Sequence, residues 1–539
     1  MKNTKKAIIF AALAAVVVFC FIAGCTDTGN VSDENLYIIH TNDVHGYFSN
    51  NLGYTSVAAL YQQMQEEGKN VLLLDAGDFI QGTVEVKATQ GESAVHIMNL
   101  AGYQVSVPGN HEFDYGLDHL LELRDEMDFA FISANIFYKG TDKLVFQPNT
   151  IIEIGGHKVG IFGLETPDTA VTTYYKDVED VDFASGEDLY RIAQEQVDYL
   201  KGEGCGIIIC IGHLGVSENS KPNRSTDLVP NVEGIDLFID GHSHTVLKEG
   251  TVVNDTLIVQ TGTALKYIGL VTITPDGNLT ETLIDKSTGN VDEIDEFAAN
   301  ISAYTHETYG KVVCMTDVEL TADKNMSRTQ ETNLGDLAAD SMMYTAEMEN
   351  ISADFAIVNA GAIRITIKAG NVTEYDLLNV FPFGNSIVAT DMGGRMILQM
   401  FEDQTQSVPD PRGGFPQVSG IHYTIDATKP YAAGEVNRVT IDSIQGQPFD
   451  VNATYTVLLN DYTLNGGDNY PNIPLLGGTY VTLDHGLEDG LINYITVKLN
   501  GDVGEEYAKP QGRITIITNA SVPKATLTPG TPTNAGAAA

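Results

Sequence analysis

A repeated pattern constrains the first half of this chain most: short apolar runs, each followed by a polar side chain. Apolar runs of this length predict buried strands, and the amphipathic stretches between them predict helices. The predicted strands are Leu36–His40, Val71–Leu74, Gln104–Val107, Gly206–Ile211 and Leu237–Ile239. The predicted helices are Ser56–Glu67, Ser93–Leu100, with Ser93 as its N-cap, and Leu117–Asp125. This alternation indicates an α/β fold, in which side chains for chemistry gather beyond the carboxyl ends of the strands.

The polar residues that follow these runs are mostly oxygen and nitrogen ligands. Taken singly, an Asp in such a position most often caps a turn, and a buried His most often belongs to the core. Taken together, they would hold two adjacent divalent metal ions with a carboxylate between them, which points to metal-assisted hydrolysis of a phosphate ester. They are Asp43 and His45 in T-N-D-V-H-G, Asp78 in D-A-G-D, Asn110 and His111 in G-N-H-E-F-D, His213 in G-H-L-G, and His242 and His244 in G-H-S-H.

Two of the ligand pairs are spaced two residues apart. On an extended strand end, this spacing points both side chains the same way, so we expect Asp43 with His45 to grip one ion. His242 and His244 repeat the spacing. Asp78 and Asn110 each follow a glycine, which predicts a tight turn at each ligand.

The second half of the chain is also mixed in character. Residues 292–308 are polar and helix-like, which predicts a connector between two domains. Beyond it, from about Val312 to Ile517, the predicted elements are a strand at Phe355–Asn359, a helix start at Tyr375–Leu378, a helix at Gly393–Phe401 and a strand at Tyr455–Asn460. The last twenty residues are rich in Thr, Pro, Ala and Gly, and we expect them to be disordered.

The N-terminal residues predict export. Lys2, Lys5 and Lys6 precede the apolar stretch Ala7–Gly24, which Cys25 follows. Ile-Ala-Gly-Cys resembles the lipobox of prokaryotic lipoproteins, so we expect a protein of the cell surface or periplasm, lipid-anchored at Cys25. The alternative is an uncleaved anchor, because the stretch is long enough to span a bilayer.

Charge and cysteine content argue against a nucleic-acid-binding protein and against a disulfide-stabilised fold. A formal net charge of −42 argues against a nucleic-acid polymer as partner, because such partners require basic surfaces. Bound metal ions would reverse this acidic field locally for an anionic phosphate substrate. Outside the signal only Cys205, Cys210 and Cys314 remain, and we expect them to be buried thiols and not a disulfide framework.

Several motifs closely resemble the 5′-nucleotidase family. D-V-H-G, G-D-F-I-Q-G-T, G-N-H-E-F-D-Y-G, G-H-L-G and G-H-S-H resemble its calcineurin-like metallophosphoesterase domain. N-A-G-A-I-R at 359–364, F-P-F-G-N at 381–385 and N-D-Y-T-L-N-G-G-D at 460–468 resemble its C-terminal nucleotide-recognition domain. The likeness runs from about Leu36 to Ile517 and suggests a bacterial or archaeal lipoprotein-like member.

The resemblance implies a fold and a domain plan. The fold is α/β (α+β), with an N-terminal four-layer αββα metallophosphoesterase sandwich, a helical connector and a C-terminal mixed α/β nucleotide-binding domain. The expected bounds are 1–25 for the signal and lipobox, 34–290 for the metallophosphoesterase domain, 291–310 for the connector, 311–518 for the substrate-binding domain and 519–539 for the disordered tail.

The resemblance also implies two groups of metal ligands that share one bridging carboxylate, Asp78. One ion would be held by Asp43, His45, Asp78 and His244, and the other by Asp78, Asn110, His213 and His242. Some relatives carry Gln at the second position of G-H-S-H, so the His there bears on metal preference. This mixed nitrogen and oxygen set suits zinc, manganese or cobalt better than magnesium alone.

His111 and Asp114 match a pair that assists catalysis in the family. An imidazolium would stabilise the negative charge that builds as the phosphoryl group loosens, and a carboxylate would orient the imidazole. The plain alternative is that Glu112 and Asp114 cap the next helix. Some cyclic-phosphodiesterase relatives carry Asn where Asp114 stands, so Asp favours the nucleotidase interpretation.

The C-terminal motifs imply a nucleoside pocket. Phe383 and Tyr462 match two aromatics that sandwich the base, and Tyr in place of Phe would still stack. Asp468 would accept hydrogen bonds from the ribose hydroxyls, and Asn359 would meet the base edge. The remaining implied contacts are to phosphate or ribose, from Arg364 and Arg328. Ala362 replaces a glycine common in the family motif, which bears on the loop beside Arg364.

We therefore expect an enzyme that hydrolyses nucleoside 5′-monophosphates to nucleoside and phosphate. The alternatives within the family are a 2′,3′-cyclic-nucleotide phosphodiesterase and a nucleoside-diphosphate-sugar hydrolase. An alternative of another class is a non-catalytic nucleotide-binding lipoprotein, which would need the aromatic clamp but not the metal ligands.

Overall fold

Two six-stranded sheets form the first half of the computed structural model, which describes residues 34–173 and 177–518. In spatial order, the first sheet contains Leu279–Ile284, Ile268–Ile273, Leu36–Thr41, Asn70–Asp75, Val105–Ser106 and Ala130–Phe131. The second contains Thr251–Val253, Thr256–Val259, Leu237–Ile239, Ile207–His213, His157–Glu165 and Asn149–Ile154. A separate two-stranded sheet pairs Ile136–Tyr138 with Val181–Phe183.

The two six-stranded sheets pack face to face. Ile38 and Leu72 of the first sheet share one buried cluster with Ile161 and Ile209 of the second. Helices cover the outer faces: Gly53–Glu66, Glu92–Ala101 and Leu117–Asp125 on the first sheet, and Glu187–Gly202 on the second. Short helical turns complete this half at Val84–Lys87, Asn110–Phe113, Thr169–Thr172, Glu218–Ser220, Ser225–Leu228 and Val229–Asn231. The expected four-layer αββα sandwich is confirmed.

The central strands of both sheets are parallel, and this brings the predicted ligands to one edge. Leu36–Thr41 runs parallel to Asn70–Asp75, and His157–Glu165 runs parallel to Ile207–His213. Because parallel strands end at the same edge, the loops that follow them meet there.

Most predicted elements of this half lie where the sequence placed them, and Leu237–Ile239 and Leu117–Asp125 match residue for residue. The prediction of Ser93 as a helix N-cap was wrong. The helix Glu92–Ala101 begins after Gly91, whose φ of +93° suits glycine. Ser93 lies inside the first turn and donates to the carbonyl of Glu85 at 3.3 Å.

A helix at Asp292–Tyr309 connects the two halves and contacts both. On the first half, its Phe297 ring lies 4.5 Å from the His96 ring. On the second half, its His306 ring lies 4.3 Å from the Tyr375 ring. The helical connector expected from the sequence is present.

The second half is a mixed α/β structure with its own two cores. Its five-stranded sheet contains, in spatial order, Pro416–Ser419, Phe355–Asn359, Thr454–Asn460, Ser386–Gly393 and Tyr480–Gly486. Its four-stranded sheet contains Gln447–Pro448, Val439–Ile444, Ile421–Asp426 and Ile514–Ile517, and Val312–Thr316 pairs with Gly370–Thr373. The helices are Lys324–Ser327, Asn333–Met348, Glu374–Leu378, Gly394–Gln404, Asp461–Leu464 and Leu487–Asn493, with short turns at Gly467–Asn469 and Tyr494–Lys498.

Cys205, Cys210 and Cys314 are free and buried, as expected. Among the helices of the described residues, none combines the length and apolar character that a membrane crossing requires. The predicted signal and lipobox segment, including Cys25, and the predicted tail at 519–539 lie outside the described residues.

Candidate metal centre

Five of the predicted ligands adopt left-handed backbone conformations at the strand ends. Their φ values are +51° at Asp43, +52° at His45, +61° at Asp78, +68° at His242 and +50° at His244. The prediction that the two spaced pairs extend their strands was therefore wrong, because each pair turns sharply instead. Left-handed conformations of non-glycine residues cost energy and concentrate at functional sites, where surrounding contacts hold them.

The turns bring four of the ligands into one group. Asp43, His45, Asp78 and His244 each offer an atom, and these atoms all lie within 4.8 Å of one another. His45 Nε2 is 3.1 Å from His244 Nε2, which is 3.2 Å from Asp43 Oδ1. His45 Nε2 is also 3.8 Å from Asp78 Oδ2.

The other predicted ligands lie beside this group, and His213 approaches both Asp43 and Asp78. His213 Nε2 is 3.1 Å from Asp78 Oδ2, and the His213 and His242 rings lie 5.3 Å apart. His242 Nδ1 is 2.9 Å from Asn110 Oδ1. Asp78 therefore contacts both sets, in the position that a bridging ligand would occupy.

These distances suit divalent cations. A cation bound about 2.0–2.2 Å from each ligand places neighbouring ligand atoms about 3.0–3.4 Å apart. The contacts from His244 to His45 and to Asp43 fall in this range. His213 Nε2 is buried and has no well-formed hydrogen bond to any described residue, so a cation would satisfy it. The residues present therefore fit divalent metal ions.

Gly109 keeps the space between the two groups open. A Cβ atom there would lie 2.3 Å from Asp78 Oδ1 and 2.8 Å from His213 Nε2. Its backbone is not left-handed, so glycine is needed here for closeness and not for φ. Gly241 has the same role on the other side, where a Cβ would lie 2.6 Å from His213 Nδ1.

His111 and Asp114 form a hydrogen-bonded pair beside the ligands. His111 Nδ1 donates to Asp114 Oδ2 at 2.7 Å. The His111 ring packs edge-on against the His45 ring at 5.4 Å, and its backbone N–H donates to Asp78 Oδ1 at 3.0 Å. With Nδ1 committed to Asp114, Nε2 is the nitrogen left for a substrate.

The two neighbouring imidazoles differ in charge. Burial lowers the pKa of His45 to about 4, so its lone pair is free for a metal at neutral pH. Burial alone would also lower the pKa of His111, but the nearby Asp114 and Asp78 carboxylates raise it to about 10. These carboxylates favour the imidazolium form of His111, which is the form that stabilises developing negative charge.

Glu112 is a structural carboxylate that sequence reasoning weighed only as a helix cap. It accepts four backbone N–H groups: those of Asp78 at 2.7 Å, Phe79 at 2.8 Å, Ile80 at 3.2 Å and Gly109 at 2.5 Å. The turn of Asp78 and the turn of Asn110 are thus bound to one side chain. Burial, followed by Asp78, raises the pKa of Glu112 to about 7.

Two more buried carboxylates went unnoticed in the sequence. Asp240 accepts the backbone N–H groups of Leu214, Gly215 and Gly241, each at 2.9 Å, which joins the His213 turn to the His242 turn. Asp75 accepts from Thr41 Oγ1 at 2.7 Å and from Gly77 N at 2.9 Å. Asp75 and Asp240 each lie at or directly after a strand end, within three residues of a predicted ligand. This position in the sequence could have indicated their role.

The predicted nucleoside residues form a chain of contacts in the second half. Asn359 Nδ2 donates to Asp468 Oδ2 at 2.8 Å, and the Asp468 N–H donates to the Tyr462 hydroxyl at 3.1 Å. The Arg364 guanidinium lies 5.0 Å over the Phe383 ring. Burial lowers the pKa of Arg364, and the positive charge of Arg328 lowers it further.

Contacts across the two halves place these loops against the metal-ligand turns. Gln81 Nε2 donates to the carbonyl of Pro382 at 3.2 Å, and the Gln81 carbonyl faces His45 Nδ1 at 3.1 Å. Lys87 pairs with Glu488 at 2.9 Å. Sequence reasoning missed Gln81 and Lys87, although both lie in or just after the G-D-F-I-Q-G-T motif.

Two family models match this chain, one in each half. Residues 36–246 match the calcineurin-like phosphoesterase family model, and residues 312–474 match the model of the 5′-nucleotidase C-terminal domain. A 5′-nucleotidase of Vibrio parahaemolyticus is 30% identical over 577 residues, which cover 96% of this chain and 99% of that protein. A trifunctional nucleotide phosphoesterase of Bacillus subtilis is also 30% identical, over 89% of this chain, which spans only 35% of that longer protein.

Solved structures agree. The 5′-nucleotidase precursor of Thermus thermophilus superposes with a TM-score of 0.67 at 28% identity, over 90% of this chain and 100% of that one. The αββα sandwich, the group of candidate metal ligands at its edge and the matched family model together define the class of this protein. It is a metal-dependent phosphoric monoester hydrolase of the calcineurin-like class. Within that class, the chain belongs to the 5′-nucleotidase family.

Proposed function

We propose that this protein is an exported, dinuclear-metal 5′-nucleotidase that cleaves nucleoside 5′-monophosphates to nucleoside and phosphate. The observation that carries the proposal is the position of Asp78, within 4 Å of both His45 and His213, with the predicted nucleoside loops held against the same turns by Gln81. A catalytic centre and a base pocket that face each other suit a substrate with a phosphate at one end and a base at the other.

Two divalent ions, with zinc, manganese or cobalt as the candidates, would be held by the seven ligands. When bound, they would supply Lewis acidity at the phosphoryl group and lower the pKa of a water molecule. One would take Asp43, His45, Asp78 and His244, and the other Asp78, Asn110, His213 and His242. Support comes from the compact first group and from the buried His213 Nε2 without a hydrogen bond among the described residues.

In our proposal, His111 and Asp114 are the catalytic pair. Negative charge builds on the leaving ribose oxygen as its bond to phosphorus lengthens, and the His111 imidazolium is charged to meet it. Asp114 keeps the imidazole oriented through its 2.7 Å contact with Nδ1. The proton on Nε2 is then available to the departing oxygen.

The nucleoside would lie between Phe383 and Tyr462, with its ribose hydroxyls on Asp468. Stacking on such rings contributes about 1–3 kcal/mol per base and tolerates different bases. Asn359 would meet the base edge, and its Nδ2 now donates to Asp468. Arg364 covers the Phe383 ring, so a stacked base would displace it toward the phosphate, where Arg328 would join it.

We propose the domain bounds given by the sequence: metal ligands on 34–290, the connector at 291–310 and the nucleoside pocket on 311–518. The connecting helix contacts both halves, and we propose a hinge near its ends. Export and a lipid anchor at Cys25 rest on the N-terminal sequence alone, outside the described residues. Metabolic labelling with a fatty acid tests the anchor, and label retained in a Cys25→Ala variant would exclude it.

A substrate panel with and without chelator tests the proposed activity. AMP hydrolysis should be lost on chelation and restored by manganese or cobalt. Faster turnover of 2′,3′-cyclic AMP or UDP-glucose than of AMP would assign the protein to the other family activities. Binding of AMP without bound or bindable metal would identify a non-catalytic nucleotide-binding lipoprotein.

A further inference from the structure

We propose that Asp168 is a positioning residue that orients His242 for the second metal ion, and that the segment from Glu165 to Thr173 supports that ion's ligands as a unit. This inference rests on the proposed dinuclear function. It concerns residues of the loop after the strand His157–Glu165, which none of the predicted metal-ligand or catalytic motifs includes.

The two nitrogens of His242 face different partners. Nδ1 lies 2.9 Å from Asn110 Oδ1, which places it toward the ligand group. Nε2, on the opposite side of the ring, lies 3.6 Å from Asp168 Oδ2. Metal-binding imidazoles use one nitrogen for the metal and the other for an orienting acceptor, often a carboxylate. His242 therefore has the two-sided arrangement of a supported ligand, with Asp168 as its support.

Asp168 is itself fixed in place. Its backbone N–H donates to Thr166 Oγ1 at 3.2 Å, and its carboxylate is hydrogen-bonded by Ser220. The Asp168 side chain is 23% exposed, so most of it is shielded from water. A carboxylate held on two sides has little freedom to leave the imidazole that it contacts.

The same segment reaches the other two ligands of the second group. Thr173 Oγ1 donates to the backbone carbonyl of Asn110 at 3.0 Å. Glu165 pairs with His213 across adjacent parallel strands and accepts from Thr169 Oγ1. Within these nine residues, Glu165 pairs with His213, Asp168 contacts His242 and Thr173 contacts Asn110.

Two of the other ligand histidines, His45 in the first group and His213 in the second, are supported differently, each by a backbone carbonyl. His45 Nδ1 faces the carbonyl of Gln81 at 3.1 Å, and His213 Nδ1 faces the carbonyl of Ala76 at 2.5 Å. Among the described ligand histidines, His242 is the one whose second nitrogen meets a carboxylate outside the ligand set. An imidazole that is hydrogen-bonded to a carboxylate donates its lone pair to a metal more strongly than one hydrogen-bonded to a carbonyl. Loss of the Asp168 carboxylate should therefore lower the affinity for the second ion selectively.

Metal titration of the full chain tests this directly. Metal-free wild type and an Asp168→Asn variant would be titrated with cobalt(II), with heat and visible absorption both recorded. We expect wild type to bind two ions. In the variant, the affinity for the second ion should be 10- to 100-fold lower, and the affinity for the first should be unchanged. The cobalt absorption of the second ion should change in intensity, because its coordination geometry relaxes.

Two further variants separate positioning from general effects. Asp180→Asn removes the same charge from an exposed carboxylate of the same region and should titrate like wild type. Thr173→Val removes the hydrogen bond to Asn110 and should also weaken the second ion only. The metal titration gives the affinity of each variant for the second ion, and no activity measurement is needed.

The outcomes are distinguishable. Two ions in wild type with an unchanged second affinity in Asp168→Asn would overturn the positioning role and leave the proposed function standing. Equal weakening of both ions, with a lower melting temperature, would mean a structural role and would also overturn it. Fewer than two ions in the wild type would instead refute the dinuclear function on which the inference depends.

Discussion

Gln81 donates from Nε2 to the backbone carbonyl of Pro382 at 3.2 Å, across 301 residues of sequence. The same residue offers its own carbonyl to His45 Nδ1. One side chain and one peptide group thus link His45, a proposed metal ligand, to the loop that carries Phe383. This contact and the Lys87–Glu488 pair join the loops of the proposed base pocket to the candidate metal centre.

Replacing Gln81 with Ala removes the side-chain contact and keeps the carbonyl that faces His45. We expect KM for AMP to rise about 5-fold, since one hydrogen bond contributes about 1 kcal/mol. Hydrolysis of p-nitrophenyl phosphate, which has no base, should be unchanged. Steady-state kinetics on both substrates measure this effect, with the exposed Gln63→Ala variant as control. Equal losses of activity on AMP and on p-nitrophenyl phosphate would refute the linking role.

His111→Ala should lower kcat on AMP by about 10²–10⁴, because the leaving oxygen loses its imidazolium. The loss should be smaller on p-nitrophenyl phosphate, whose leaving group needs less stabilisation of charge. Melting temperature and metal content should stay near wild type, as they should in the control His422→Ala on an exposed strand position. Undiminished turnover of AMP would remove His111 from the mechanism.

The sequence predicted where the ligands gather because apolar runs mark strands and parallel strands end together. The apolar runs predicted strands at Leu36–His40 and Val71–Leu74, and the structure has strands at Leu36–Thr41 and Asn70–Asp75, with Asp43 and Asp78 in the loops that follow. The left-handed turns at His45 and His244 did not follow, because nothing in an Asp-Val-His or His-Ser-His run specifies φ. The local pattern therefore predicted side chains that the structure brings together, but it predicted the wrong backbone conformation for them.

Long-range contacts explain the remaining omissions. Glu112 sits where a capping residue would, and only the fold reveals that it accepts from Asp78, 34 residues earlier. The support of His242 by Asp168 spans 74 positions of sequence, beyond any local pattern. The proposed ligand-binding side chains belong to recognisable motifs here, whereas the side chains that hold the motifs together do not.

Glu112→Gln should be among the most damaging single changes in the first half. The carboxylate accepts four backbone N–H groups, and an amide would offer one oxygen and turn a donor toward the others. We expect a loss of about 3–5 kcal/mol in unfolding free energy, together with lost metal binding. Urea unfolding at pH 8, where Glu112 is ionised, measures this, and the exposed Glu126→Gln should cost nothing comparable.

Gly109→Ala tests the space between the two ligand groups. The new Cβ would lie 2.3 Å from Asp78 Oδ1, so the ligand or the turn must shift. A displacement of about 1 Å costs on the order of 10² in rate, and bound metal should fall with it. Gly206→Ala, where a Cβ would meet nothing within 4 Å, is the matched control. Full metal content and activity in Gly109→Ala would contradict the described geometry.

Asp461 gives the second half a pH-dependent stability. Its carboxylate accepts from Asn385 Nδ2 at 2.9 Å and from the Ser386 N–H at 3.1 Å. Burial nevertheless raises the pKa of Asp461 from its usual 3.8 to about 6. Folding therefore favours the protonated form, and the stabilisation present below about pH 4 is lost as pH rises through about 6.

An Asp461→Asn variant lacks this titration. Wild type should lose about 3 kcal/mol relative to the variant between pH 4 and pH 8, because each unit of pKa shift corresponds to about 1.4 kcal/mol. At pH 4 wild-type Asp461 is a neutral carboxyl, and the amide of the variant is neutral at every pH, so the stability of the variant relative to wild type should rise between pH 4 and pH 8. Urea unfolding across this range provides the measurement, with exposed Asp484→Asn expected to show no such trend. A difference in stability between wild type and Asp461→Asn that stays constant across the range would show that folding does not favour the protonated carboxyl.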